Sequence, residues 1–198
     1  MRITRFDFLK KKAHDEKYSP TEGMGKHFTN MTSNETPDDW RAFLRMAVLN
    51  QAFDKAFIQK ERIERGMESS NLTVLFADIH FFLVAVTNIQ YALLSVKSVL
   101  KSNVELNAIY KKYIEQLEHL NVFRDHLEHI TDRRIDGLNK KGERLKNPGM
   151  LGNLFGTEYD FGGERFNLKS AFGLVEDIFR ELKEWNRKVG IFPLWGGL

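Results

Sequence analysis

The stretch LTVLFADIHFFLVAVTNIQYALLSVKSV, residues 72–99, decides the fold. It contains neither Gly nor Pro and is apolar around most of a helical circumference, so it predicts one long helix in the centre of a bundle. Ser69-Ser70-Asn71 just before it supplies an N-cap. His80, Thr87, Asn88, Gln90 and Lys97 interrupt the apolar run, a pattern that suits a buried helix better than a membrane span.

Upstream, Thr36-Pro37-Asp38-Asp39 announces another helix. Thr36 can cap it, Pro37 suits the first helical position, and the two acids complement the positive end of the dipole. Trp40, Phe43, Leu44, Ala47, Val48, Phe53 and Phe57 follow at largely helical spacing, to an end expected near Gly66. Residues 1–35 show no regular pattern.

Downstream, 104–136 reads as a third helix, with a possible break near Asn121 and a stop at Gly137. A polar loop, 139–149, then sets Lys140, Lys141, Arg144 and Lys146 against Glu143, the sharpest basic patch in the chain. From 153 to 166 the period changes. Phe155, Thr157, Tyr159 and Phe161 alternate with Leu154, Glu158 and Asp160, and Gly162-Gly163 fits a tight turn, so a small β-hairpin is predicted. Asn167 caps a last helix with the stripe Leu168, Phe172, Val175, Ile178, Phe179, Leu182 and Trp185. The expected fold is therefore mainly all-α: an up-and-down bundle of four to five helices over 36–189, a hairpin before the last helix, and a tail at 190–198.

Composition bounds the chemistry. A chain of 198 residues suits one domain. With no Cys there is no disulfide, thiolate nucleophile, Cys-bound zinc or iron–sulfur cluster. The net charge of +3 is too small for coating nucleic acid by charge alone, so polyanion binding needs a local patch such as Lys140, Lys141, Arg144 and Lys146. The first twenty residues carry Arg2, Arg5, Asp7 and Lys10 to Lys12 without an apolar core, unlike a secretion signal, and the expected location is the cytoplasm.

Chemistry should lie on the third helix, where His119, His126 and His129 fall close together. With Leu120 as zero and about 100° per residue, Ile109, Tyr113, Leu117, Phe123, Leu127 and Leu138 lie within about 60° and define the core face. Arg124, Thr131 and Arg134 fall inside the same arc. An arginine there must find a carboxylate or a polyanion, because an unpaired buried charge costs several kcal/mol. Asp78, an odd polar residue beside His80 on the apolar 72–99 helix, is the expected structural partner of Arg124, and Arg134 raises the same requirement. His129 lies about 180° from Leu120 and faces another surface.

The run Phe123-Arg124-Asp125-His126-Leu127-Glu128-His129 resembles the Arg-x4-His motif of the HEPN superfamily. These are small all-helical domains that include many metal-independent ribonucleases of toxin–antitoxin, phage-defence and stress systems. Asp125 matches the polar residue common after the motif arginine, and Asp132-Arg133-Arg134-Ile135-Asp136 looks like bacterial HEPN-like proteins. The likeness covers 36–189 in architecture and 123–136 in motif.

The resemblance implies an endoribonuclease without a cofactor. Arg124 would stabilise the phosphate, His129 would move a proton near neutral pH, and Asp125 would orient its ring. Arg124 and His129 stand about 140° apart on one ideal helix. Family members generally meet this by dimerising, so a homodimer with this helix at its interface is expected, with RNA as substrate and an antitoxin protein as a further partner. Thr131 stands where some family toxins carry a nucleotide-accepting Tyr, a departure that puts that form of regulation in doubt.

Two other readings fit the residues. Arg124 and Asp78 can form a buried pair in a purely structural or interaction bundle. Alternatively, His126, His129 and Asp132, with His119 near, offer metal-ligand spacing on consecutive turns.

Overall fold

A computed structural model describes residues 37–69, 71–129, 137–138, 143–144, 146 and 151–189. The chain divides between Trp40 and Arg41, and the packing below is that of the second unit, Arg41–Leu198. The described elements are helices α1 (Pro37–Met67), α2 (Leu72–Val99) and α3 (Val104–Glu128), strands β1 (Leu151–Phe155), β2 (Glu158–Phe161) and β3 (Glu164–Asn167), and helix α4 (Leu168–Val189).

Local chemistry sets the helix starts. The Asn71 side chain accepts from the Val74 N–H at 3.2 Å, Asn103 from Leu106 at 2.8 Å and Asn167 from Ser170 at 3.0 Å, each satisfying an N–H with no partner inside its helix. The predicted α2 and α4 start where these caps place them.

Side-chain contacts give the direction of every neighbour. Arg45 near the start of α1 reaches Ser95 and Ser98 near the end of α2, while Arg62 near the end of α1 reaches Asp78 near the start of α2. Thr87 bonds Asn121 and Lys97 lies over the Tyr110 ring, so α2 and α3 are antiparallel. Lys188 to Glu105 and Tyr113 to Glu181 orient α4 against α3, and Phe53 and Phe57 on Phe179 seat α4 against α1. The four described helices thus form the expected up-and-down bundle. Its core runs through Phe53, Phe82, Ile89, Leu117, Phe123, Phe172, Ile178 and Trp185, all buried.

Helix α2 is long and apolar enough to cross a membrane by length and composition. Here it supplies the core of the bundle, burying Leu75, Ile79, Phe82, Val86, Ile89, Leu93 and Val96.

The predicted hairpin is a three-stranded antiparallel sheet, order β1-β2-β3. The turn at Gly162-Gly163 is as expected, both at positive φ. A second turn at Gly156-Thr157 folds the supposed first strand back on itself, pairing Phe155 with Glu158. The sheet caps the bundle end where α3 finishes, with Phe166 against Phe123 and Tyr159 against Phe76. Asp160 is buried; it accepts from Arg165 at 2.6 Å and from the Gly163 N–H at 3.1 Å.

Helix α3 stops at Glu128, short of the expected 136, and runs unbroken through Asn121, whose side chain is held by Thr87 at 3.0 Å. Leu138, assigned above to its core face, instead forms an isolated antiparallel bridge with Arg144.

Candidate functional site

The last turn of α3 gathers the motif residues. Arg124 is partly buried, its side chain 26% exposed, and its terminal nitrogens bond Asp125 at 2.9 Å and Glu128 at 2.7 Å. The anomalous arginine of the apolar stripe is therefore neutralised mainly from its own helix. Its third donor position, Nε, is buried and has no hydrogen-bond partner among the described residues.

Asp78 does not meet Arg124. Its carboxylate is buried and accepts from Arg62 Nε at 2.7 Å. The reason is the geometry of a helical hairpin: residues 62 and 78 stand equally far from the short α1–α2 connection, and antiparallel packing brings them level. That symmetry about residue 70 was visible in the sequence. Arg134 lies outside the described residues.

His129 is the C-cap of α3, exposed, with φ −106° and ψ 26°, and its backbone N–H bonds the carbonyls of Asp125 and Leu127. It has left regular helix, so the ideal separation of about 140° from Arg124 does not strictly apply. Asp125, expected to orient the His129 ring, engages Arg124 through Oδ1.

His126 is no surface residue. It is buried, stacked on Phe161 with centroids 5.0 Å apart and planes at 13°, and edge-on to Phe123; Nε2 is 3.5 Å from the half-exposed Glu164 carboxylate. The sheet covers a flank of α3 that bundle packing alone would leave to solvent. His119 is exposed and edge-on to Phe123, one further step along that flank. Among the described residues no three His, Asp or Glu side chains gather as metal ligands, and Asp132 lies outside them.

Of the basic loop, Arg144 and Lys146 are exposed, while Lys140 and Lys141 lie outside the described residues. An open groove between α1 and α2, lined by Val48, Gln51, Lys55, Asn88 and Tyr91, has neither carboxylate nor imidazole among its lining residues.

The chemistry-bearing set is therefore Arg124, Asp125, Glu128 and His129 on one helix end, with two carboxylates to one fixed cation. The sequence reading does not single out Glu128, although its i, i+4 spacing from Arg124 is the ordinary signal of a helical ion pair. No protein-family model, curated protein or solved structure gives a significant match to this chain.

Proposed function

We propose that the protein is a metal-independent endoribonuclease of the HEPN type, cytoplasmic and acting as a homodimer. The observation that carries the reading is the position of exposed His129 at the C-cap of the same helical turn that holds Arg124. In such a reaction the RNA 2′-hydroxyl attacks the adjacent phosphorus, the O2′–P bond forms and the P–O5′ bond breaks, leaving a cyclic phosphate. Arg124 offers paired donors to the phosphoryl oxygens, and an imidazole moves a proton near neutral pH. Phosphate would take the Arg124 nitrogens from Asp125 and Glu128. Lys140, Lys141, Arg144 and Lys146 supply charge for the RNA backbone, and the partner chain in a dimer supplies a second motif.

The test is incubation of purified protein with mixed RNA in EDTA, beside Arg124→Ala and His129→Ala. Cleavage that survives chelation and disappears in both variants supports the reading. Absence of cleavage in the wild-type protein sinks it, and activity only with added divalent metal moves weight to the histidines. A monomer at micromolar concentration by sedimentation removes the dimer.

The pairing of both Arg124 terminal nitrogens with Asp125 and Glu128 favours a second reading, a structural or interaction bundle whose arginine is satisfied at rest. It expects no RNA cleavage under any condition.

A further inference from the structure

We propose that the outer faces of α1 and α2 form the interface with a second copy of this chain, the two α2 helices running parallel at its centre. The proposal specifies the dimer of the ribonuclease reading, with its seam on α2 where the motif predicts α3, and it rests on that dimer alone, not on RNA cleavage.

Helix α2 has two apolar faces. One builds the core through Phe82, Val86, Ile89 and Leu93. The other, Val74, Ala77, Phe81, Val84, Asn88 and Tyr91, is exposed except for half-buried Val84. It carries no charge, and the one acid between Leu72 and Val96, Asp78, is buried against Arg62. On α1, Val48, Gln51 and Lys55 line the groove beside Asn88 and Tyr91, and Leu44 and Ile58 extend that row by a turn at each end. Leu44, Val48, Ile58, Val74, Phe81 and Tyr91 are each 45–56% exposed. At about 150–250 Å² for a whole aromatic side chain and less for an aliphatic one, they leave roughly 500 Å² open to solvent. That is near the top of the range of about 300–600 Å² for the largest apolar patch of a monomer, and with its polar rim it approaches the ~800 Å² per partner of a standard interface.

The spacing points to the occupant. Steps of three and four repeat every seven residues, as in the seam between two helices, with Val74, Phe81 and Asn88 at a positions and Ala77, Val84 and Tyr91 at d positions. An amide in a desolvated seam is costly unless it finds a partner. In a parallel pair about a two-fold axis each a residue meets its own copy, so Asn88 meets Asn88 and the two amides hydrogen-bond, the device by which one Asn at an a position fixes register. An unrelated helix would have to bring its own polar group to that point.

Charge selects the same arrangement. The α1 row holds Lys55 and half-exposed Arg62 and no acid. A two-fold axis parallel to the helices sets the two α1 helices on opposite sides of the seam, whereas antiparallel pairing would lay α1 on α1, cation against cation. The parallel axis also keeps both α3 C-caps, each with its His129, at the same end of the dimer.

The chain has no cysteine, so a single introduced thiol reports on its own surroundings. Asn88→Cys, treated with oxidised glutathione, should give a disulfide-linked dimer on a non-reducing gel, because opposed a positions lie within disulfide reach. Val122→Cys, exposed on α3, should not. By sedimentation the wild-type chain should be a dimer at micromolar concentration, and Phe81→Glu should raise the dimer Kd at least roughly 100-fold with helical circular dichroism unchanged, since Phe81 is exposed in a single copy. A disulfide through Val122→Cys and none through Asn88→Cys, or a dimer indifferent to Phe81→Glu, overturns the α2 seam and leaves the dimer standing. A wild-type monomer overturns seam and dimer together and leaves this face to residues 1–36 or to another protein. RNA cleavage in EDTA decides the ribonuclease reading separately from either result.

Discussion

Asp78 is neutralised by Arg62 across the α1–α2 hairpin, Nε to Oδ1 at 2.7 Å, with the carboxylate 4% exposed and the arginine 49% exposed. Removing the arginine strands a buried carboxylate, and exposure of the arginine head tempers the cost. Arg62→Ala should destabilise the protein by about 1–3 kcal/mol, read as a lower urea midpoint. Arg124→Ala removes partly exposed pairs within one helix and should cost about 1 kcal/mol or less. A larger loss for Arg124→Ala than for Arg62→Ala would mean that Arg124, not Arg62, holds the bundle together.

Asn103 does two tasks with one oxygen. Its Oδ1 caps α3 through the Leu106 N–H and accepts from Nε1 of fully buried Trp185 on α4 at 3.2 Å. Asn71, by contrast, caps α2 on the surface. Asn103→Ala should therefore lose a cap and leave a buried indole N–H unpaired, about 2–4 kcal/mol together, against about 1 kcal/mol for Asn71→Ala. Chemical denaturation of the two variants checks the ratio, and equal costs would show that the indole bond contributes nothing.

A pH effect follows from the tie between α3 and α4. Partial burial pushes the Glu181 carboxyl up, but hydrogen bonds from Lys112 and the Tyr113 hydroxyl, with the Lys112 and Arg180 charges, outweigh it and hold the group below its ordinary value. A carboxylate with a lowered folded-state pKa contributes stability above its unfolded value of about 4.3, and that contribution disappears as pH falls through the folded value. Glu181→Gln should thus cost more stability at pH 7 than at pH 3, below the unfolded-state value. Urea midpoints at the two pH values test this; a pH-independent difference would remove the charge from the account.

What the sequence made legible tracks how local the cause is. Asn71 and Asn167 cap helices within three residues of themselves, and both helix starts followed from them. The end of α3 at Glu128 had no such mark, since the first Gly beyond it is Gly137. The Gly156-Thr157 turn was hidden for a different reason. A two-residue turn keeps the alternation of a strand in phase, so Phe155, Thr157 and Tyr159 read as one continuous period. The site was legible as a motif but not as a network. The apolar stripe shows that Arg124 needs a carboxylate, and Asp125 and Glu128 on its own helix supply it rather than the more distant Asp78. The burial of His126 depends on a sheet packed from more than thirty residues later, which helical angles on α3 do not encode.

His126 separates the two chemical readings. Its ring is buried against Phe161 and Phe123, and the Glu164 carboxylate at 3.5 Å is too far and too exposed to count for much. His126→Ala should therefore cost about 2–4 kcal/mol through lost packing, while Glu164→Gln should cost under about 1 kcal/mol. His126→Phe keeps an aromatic ring between α3 and the sheet but has no ligating nitrogen. If His126 serves packing alone, a folded His126→Phe protein should cleave RNA in EDTA as the wild type does. If it is a metal ligand, that variant should lose metal-dependent activity while retaining its melting temperature. Melting curves and cleavage assays on the same sample separate these outcomes, because a ring that only packs leaves its trace in stability and a ring that ligates leaves it in the metal response.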